Sequence, residues 1–166
     1  MRHVYLTVAT TAASLLIGLG EGAMSLDLQT ISFDHAPRLN RVAIANQKAY
    51  FTVTIPENAG EGLAKLSFSD LTQAAARLPF NLEKTQVFQG TRASGQNIKL
   101  SDAWVDETGV VWVEFAPTLA PGTTFTVVLE VEENAPSGEH EYGVAAYPEP
   151  ENSVPAFVGD GTLTFD

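Results

Sequence analysis

The chain has 166 residues, a length that suits a single domain, and its 45% hydrophobic content with nine Phe and two Trp is enough for a packed core, which excludes wholesale disorder. It has no cysteine, which excludes disulfides, thiolate metal sites, iron–sulfur clusters and a cysteine nucleophile. The formal net charge of −11 repels nucleic-acid phosphate and anionic lipid headgroups, so it argues against both as partners.

Met1-Arg2-His3 is a short basic start, and Val4 to Leu19 is an uncharged apolar run of 16 residues. Small residues follow at Ala23 and Ser25. This is the pattern of a secretory signal peptide, expected to end after Ser25, with cleavage after Gly20 as the alternative. The run is short of the ~20 residues that cross a bilayer, so residues 1–25 are expected to leave. Residues 26–166 then form the mature domain, with no membrane span.

Leu28 to Phe33 alternates and predicts a first edge strand. Arg41 to Ala45 is a short strand, Asn46-Gln47 a turn, and Lys48 to Ile55 a strong strand whose Phe51, Val53 and Ile55 share one face. Leu63 to Phe68 alternates in the same way. Asp70 to Arg77 is the one expected helix, with Asp70 as cap, Gln73 three residues on and Pro79 as stop. Thr85 to Phe88 and Ile98 to Val105 are further strands, and Asp106 to Gly109 is a hairpin turn, with Gly109 suited to a positive φ. Val110 to Phe115 alternates.

The stretch Phe115 to Pro148 carries the clearest strand signals. Ala120-Pro121-Gly122 feeds an apolar strand, Thr123 to Val131. Asn134 to Gly138 then predicts a reversal into Glu139 to Tyr147, a central β-hairpin. Phe157 to Gly159 and Gly161 to Phe165 are expected as a last strand. Turn signals at this spacing predict an all-β, immunoglobulin/fibronectin-like two-sheet antiparallel β-sandwich with one short helix.

Several blocks carry a resemblance: Phe51 to Gly60, Phe80 to Thr85 with Phe88 to Arg92, Pro121 to Thr124, Tyr142 to Pro148, and Gly159 to Phe165. Together they resemble the cyanobacterial secreted domain-of-unknown-function family 2808. The resemblance runs from about Pro37 to Phe165. It implies an exported protein, periplasmic or extracellular, and supplies no catalytic residues.

The chemistry-bearing residues are few. Outside the signal only His35 and His140 remain as histidines. Ser137 and His140 flank one turn and lack the G-x-S-x-G setting of a nucleophile, so no triad is expected. Copper would have only His35, His140 and Met24 to hold it. Glu130 and Glu132 share one strand face, and Glu139 and Glu141 share another. On a tight hairpin these four carboxylates would converge into a site for a hard cation such as Ca²⁺. Asp102, Asp106 and Glu107 form a second acidic turn. Of the two tryptophans, Trp112 alternates with apolar Val111 and Val113 and is the expected surface aromatic, a candidate ligand contact.

The expected function is that of a non-enzymatic envelope module, structural or binding a protein or glycan partner. A Ca²⁺-binding sandwich is the first alternative. A carbohydrate-active enzyme, which needs two carboxylates facing across a cleft, is the second.

Overall fold

The computed structural model describes residues 30–72, 79–149 and 153–166. Among these residues there are nine strands: β1 (Arg38–Ala45), β2 (Lys48–Thr54), β3 (Leu63–Asp70), β4 (Phe80–Gln89), β5 (Leu100–Val105), β6 (Val111–Leu119), β7 (Thr124–Val131), β8 (Gly138–Pro148) and β9 (Ala156–Phe165). They form two sheets, ordered β1-β2-β7-β4 and β5-β6-β3-β8-β9. Every neighbouring pair is antiparallel. The sandwich expected from the alternating pattern is the fold. The expected signal peptide lies outside the described residues, as do six of the residues around the expected helix, 73–78.

Alternation sets the inner faces. Phe51 and Val53 of β2, Leu66 and Phe68 of β3, Val113 of β6, Phe125, Val127 and Leu129 of β7 and Val144 of β8 are all fully buried. These inner residues recur at every second position along their strands because successive side chains point to opposite faces. The two layers meet through rings: Phe51 of β2 sits 4.8 Å from Phe68 of β3, and Phe125 of β7 sits 5.4 Å from Phe115 of β6. On the outer side of the four-stranded sheet, Thr126 donates to the Gly90 carbonyl at 2.8 Å, and its oxygen lies 3.0 Å from the Thr52 hydroxyl.

Local signals placed the short connections correctly. Asn46 and Gln47 take φ of 51° and 57°, the left-handed pair that a two-residue hairpin between β1 and β2 requires. Gly109, at φ 85°, closes the β5–β6 turn. The expected edge strand at Leu28 to Phe33 does not form over its described part: residues 30–33 are irregular, with the Ile31 carbonyl accepting from Val154 N.

The expected central hairpin is also overturned. β7 and β8 are not a hairpin, because β7 belongs to the four-stranded sheet and β8 to the five-stranded one. Residues 132–137 carry the chain from one layer to the other. Val131 N bonds to the Gln47 carbonyl and Glu132 N to the Pro79 carbonyl, which keeps the end of β7 in its own sheet. On the far side of the crossover, His140 is buried in the other layer. Its Nδ1 lies 2.9 Å from Asp70 Oδ2, and its Nε2 donates to the Pro136 carbonyl at 3.0 Å.

At one lateral seam β9 lies against β1. A Cβ at Gly161 would overlap Val42 Cγ2, and one at Gly159 would come within 2.9 Å of Leu39 Cβ. Glycine at both positions lets the seam close.

Candidate ligand-binding face

The outer face of the five-stranded sheet is built from the β5–β6 turn upward. Asp106 Oδ1 accepts from Thr108 N at 2.9 Å, Thr108 Oγ1 at 2.6 Å and Val110 N at 3.1 Å. Its other oxygen accepts from the Trp112 indole Nε1 at 2.8 Å. One carboxylate therefore fixes both the turn and the orientation of the indole. The same bonds, those from Thr108 before that from Trp112, hold the Asp106 carboxyl down at about 2.

The turn sets the register, and the register pairs Trp104 directly with Trp112. Their rings are nearly parallel, 10° apart in plane and 6.0 Å between centroids. Across β3, Trp112 also meets Tyr147 of β8 at 5.0 Å. Ser67, between them on β3, is only 4% exposed. The Lys65 ammonium stands 5.9 Å from the Trp112 ring, within cation–π range.

Pairing registers extend the band across the whole sheet. Trp104 faces Trp112, Trp112 faces Ser67, Ser67 faces Ala145, and Ala145 faces Phe157 of β9. Directly paired residues point to the same side, so Phe157 joins the outer face, where it is 64% exposed. Four steps between neighbouring strands give the band a span of roughly 19 Å. A second line runs beside it: Asp102 faces Glu114, Glu114 faces Lys65, and Lys65 faces Tyr147. This polar line opens into a groove of about 570 Å³ whose walls include Glu61, Lys65, Glu114, Tyr147 and Glu149.

The expected surface aromatic, Trp112, is thus on this face, half-buried, at the centre of the ring cluster. Trp104 was expected to share the surface less; it lies on the same side and is equally half-buried. Tyr147 and Phe157 were missed. Tyr147 carried a signal, since it falls out of phase with the buried Tyr142, Val144 and Ala146 of its own strand. Phe157 carried none, because its facing depends on the β8–β9 register.

The four glutamates expected to converge do not. Glu130 lies on the outer side of β7, facing Lys48 and Asn81 on its neighbours, and forms an ion pair with Lys84. Glu132 is an exposed residue just past the end of β7. Glu139 and Glu141 face Thr164 and Thr162 on the outer side of the other sheet. The crossover between layers separates the two pairs. No group of three or more His, Asp or Glu side chains placed to hold a metal occurs among the described residues. In the second acidic turn, Asp102 caps the Ala103 amide and Asp106 is engaged as above.

His140 has both ring nitrogens occupied, by Asp70 and by the Pro136 carbonyl, so neither is turned to Ser137. His35 is exposed, and Met24 lies outside the described residues. The nearby Tyr142 hydroxyl is buried without a hydrogen-bond partner among the described residues. Burial, followed by the Asp70 charge, holds its phenol well above the usual tyrosine range.

Residues 30–165 match the profile of a family described as protein of unknown function, DUF2808. No curated protein matches the chain. Among solved structures, a DUF4466 family protein from Parabacteroides merdae is 15% identical over 81% of this chain and 44% of its own, with a TM-score of 0.43. The collagen-binding domain from a Staphylococcus aureus adhesin is 10% identical over 81% of this chain and 98% of its own, at 0.39. The collagen-binding subdomain of the Enterococcus faecalis surface protein ACE is 13% identical over 72% and 88%, at 0.37. The chain spans less than half the length of the first of these structures. Among the described residues, no helix is long and apolar enough to cross a membrane.

Proposed function

The chain belongs to the DUF2808 family, and on that premise we propose that it is an exported, non-enzymatic module of the cell envelope. Its ligand face is the outer side of the five-stranded sheet. Export rests on the sequence pattern of residues 1–25. The domain of residues 26–166 is the part that works.

The observation that carries the reading is the ring cluster Trp104, Trp112 and Tyr147, held open on a sheet face by the Asp106 bond. Surface aromatics scattered singly need no explanation. Three linked through Trp112, with Phe157 on the same register line and a groove alongside, form a surface of the kind that marks interaction sites. A carboxylate spent on orienting an indole at the surface also costs the face conformational freedom, which favours tight contact with a ligand.

The test is sedimentation of the purified protein with insoluble cell walls from a cyanobacterium, the source that the sequence resemblance implies. The protein is expected to pellet with the walls. Trp112→Ala is expected to leave it in the supernatant, whereas Tyr50→Ala on the other sheet is expected to have no effect. Equal pelleting of both variants, or no pelleting of the unaltered protein, would defeat the reading.

A further inference from the structure

Resting on that reading, we infer that the face takes a neutral polysaccharide chain, laid across the strands along the aromatic band. A pyranose ring has two kinds of surface. Its axial C–H groups form an apolar, weakly positive face, and its hydroxyls point out around the rim. The face of an aromatic ring carries the negative lobe of its quadrupole and accepts such C–H groups.

The outer face supplies both complements in parallel lines. Trp104, Trp112 and Phe157 lie along one line of the register. Asp102, Glu114 and Lys65 lie along the next, one pair-step away, and that line ends at Tyr147. A chain of sugars on the first line brings its rim hydroxyls to carboxylate acceptors and an ammonium donor on the second. The roughly 19 Å span accommodates several consecutive rings, so the ligand is a chain rather than a monosaccharide. This geometry also explains why the exposed Phe157 stands at the far edge of the sheet, in line with two tryptophans, rather than at an arbitrary surface position.

Charge narrows the class. Among the described residues, Asp102, Glu114, Glu61 and Glu149 border the band and the groove against the single Lys65, on a chain whose net charge is −11. Uronate, sulfate or phosphate groups would be repelled from that border. The border therefore rules out an anionic chain, and a neutral one meets its carboxylate acceptors without repulsion.

Affinity electrophoresis tests this directly. The protein is run in native gels containing hydroxyethylcellulose, dextran or galactomannan, and in parallel gels containing alginate, a polyuronate. Retardation is expected in at least one neutral gel and absent in alginate. Phe157→Ala is expected to weaken it tenfold or more. Phe157 is largely exposed, so this variant folds as the parent does, and Trp104→Ala is the second variant. Passage unretarded through all three neutral gels, retardation in alginate alone, or retardation unchanged in both variants would overturn the inference. If wall binding still depends on Trp112 while every neutral gel fails, the polysaccharide class falls and the ligand face stands. If wall binding is itself lost, both fall.

Discussion

Replacing Trp112 by alanine removes the centre of the ring cluster, and the structure gives the size of the loss. Trp112 makes two aromatic contacts, to Trp104 at 6.0 Å and to Tyr147 at 5.0 Å. Each such pair contributes about 0.5–1.5 kcal/mol beyond its buried area, so the two together give about 1–3 kcal/mol. An ordinary surface substitution stays within about 0.5 kcal/mol. Trp112→Ala is therefore expected to destabilise the domain well outside the surface range, although the residue lies on an outer face. Trp112→Phe keeps a ring in place and loses the bond to Asp106, so it is expected to fall between the parent and Trp112→Ala. Urea unfolding followed by far-ultraviolet circular dichroism measures both without relying on the tryptophan signal that the substitutions remove. A loss below about 0.5 kcal/mol for Trp112→Ala would mean that the rings are independent surface side chains, and the argument for a rigid face would fail with it.

Two phenylalanines separate core from surface. Phe51→Ala, at a fully buried position against Phe68, is expected to cost about 3–5 kcal/mol, while Phe157→Ala stays within about 0.5 kcal/mol in the same urea assay. The Asp106 carboxyl, held at about 2 in the folded chain against about 3.9 unfolded, has a depressed value, so its contribution is present above the unfolded value and is lost as pH falls toward 2. An acid titration of the Trp112 indole resonance is expected to move with a midpoint near that folded value, and the movement is expected to vanish in Asp106→Asn. Gly161→Val is expected to lower the melting temperature by forcing β9 off Val42 of β1; an unchanged melt would mean that the seam is loose. Millimolar Ca²⁺ is expected to leave the melting temperature where EDTA leaves it, because Glu130 and Glu132 are separated from Glu139 and Glu141 by the change of sheet. A rise abolished by Glu130→Gln with Glu132→Gln would contradict that separation.

The inner faces of β2, β6 and β7 were legible in the sequence because burial on one side imposes a two-residue period. Short turns were legible because Asn46-Gln47 and Asp106 to Gly109 carry their own backbone chemistry. The change of sheet between β7 and β8 was not. Asn134 to Gly138 offers the same Pro, Ser and Gly signals whether the chain reverses within a sheet or crosses between sheets. The choice is made by distant partners, the carbonyls of Gln47 and Pro79 on one side and Asp70 on the other. One clue was present: His140 falls in phase with Tyr142, Val144 and Ala146, so the alternation already put a histidine among buried residues.

The candidate face was half legible for a related reason. Trp112 could be placed by alternation within its own strand. Trp104 is placed by the turn, since a hairpin closing at Asp106 to Gly109 pairs it with Trp112, a consequence that alternation within one strand does not show. Phe157 reaches the band only through three further registers, each decided by long-range pairing that no local pattern encodes.

The two tryptophans give the most direct measurement. Their two indole resonances in a ¹H–¹⁵N correlation spectrum both report on the proposed face. Titration with a soluble digest of the cyanobacterial walls is expected to shift both resonances saturably. The amides of Thr52 and Thr126, on the opposite sheet, are expected to stay in place. Saturable shifts at Thr52 and Thr126 with both indoles unmoved would put the binding surface on the other side of the sandwich and contradict the account.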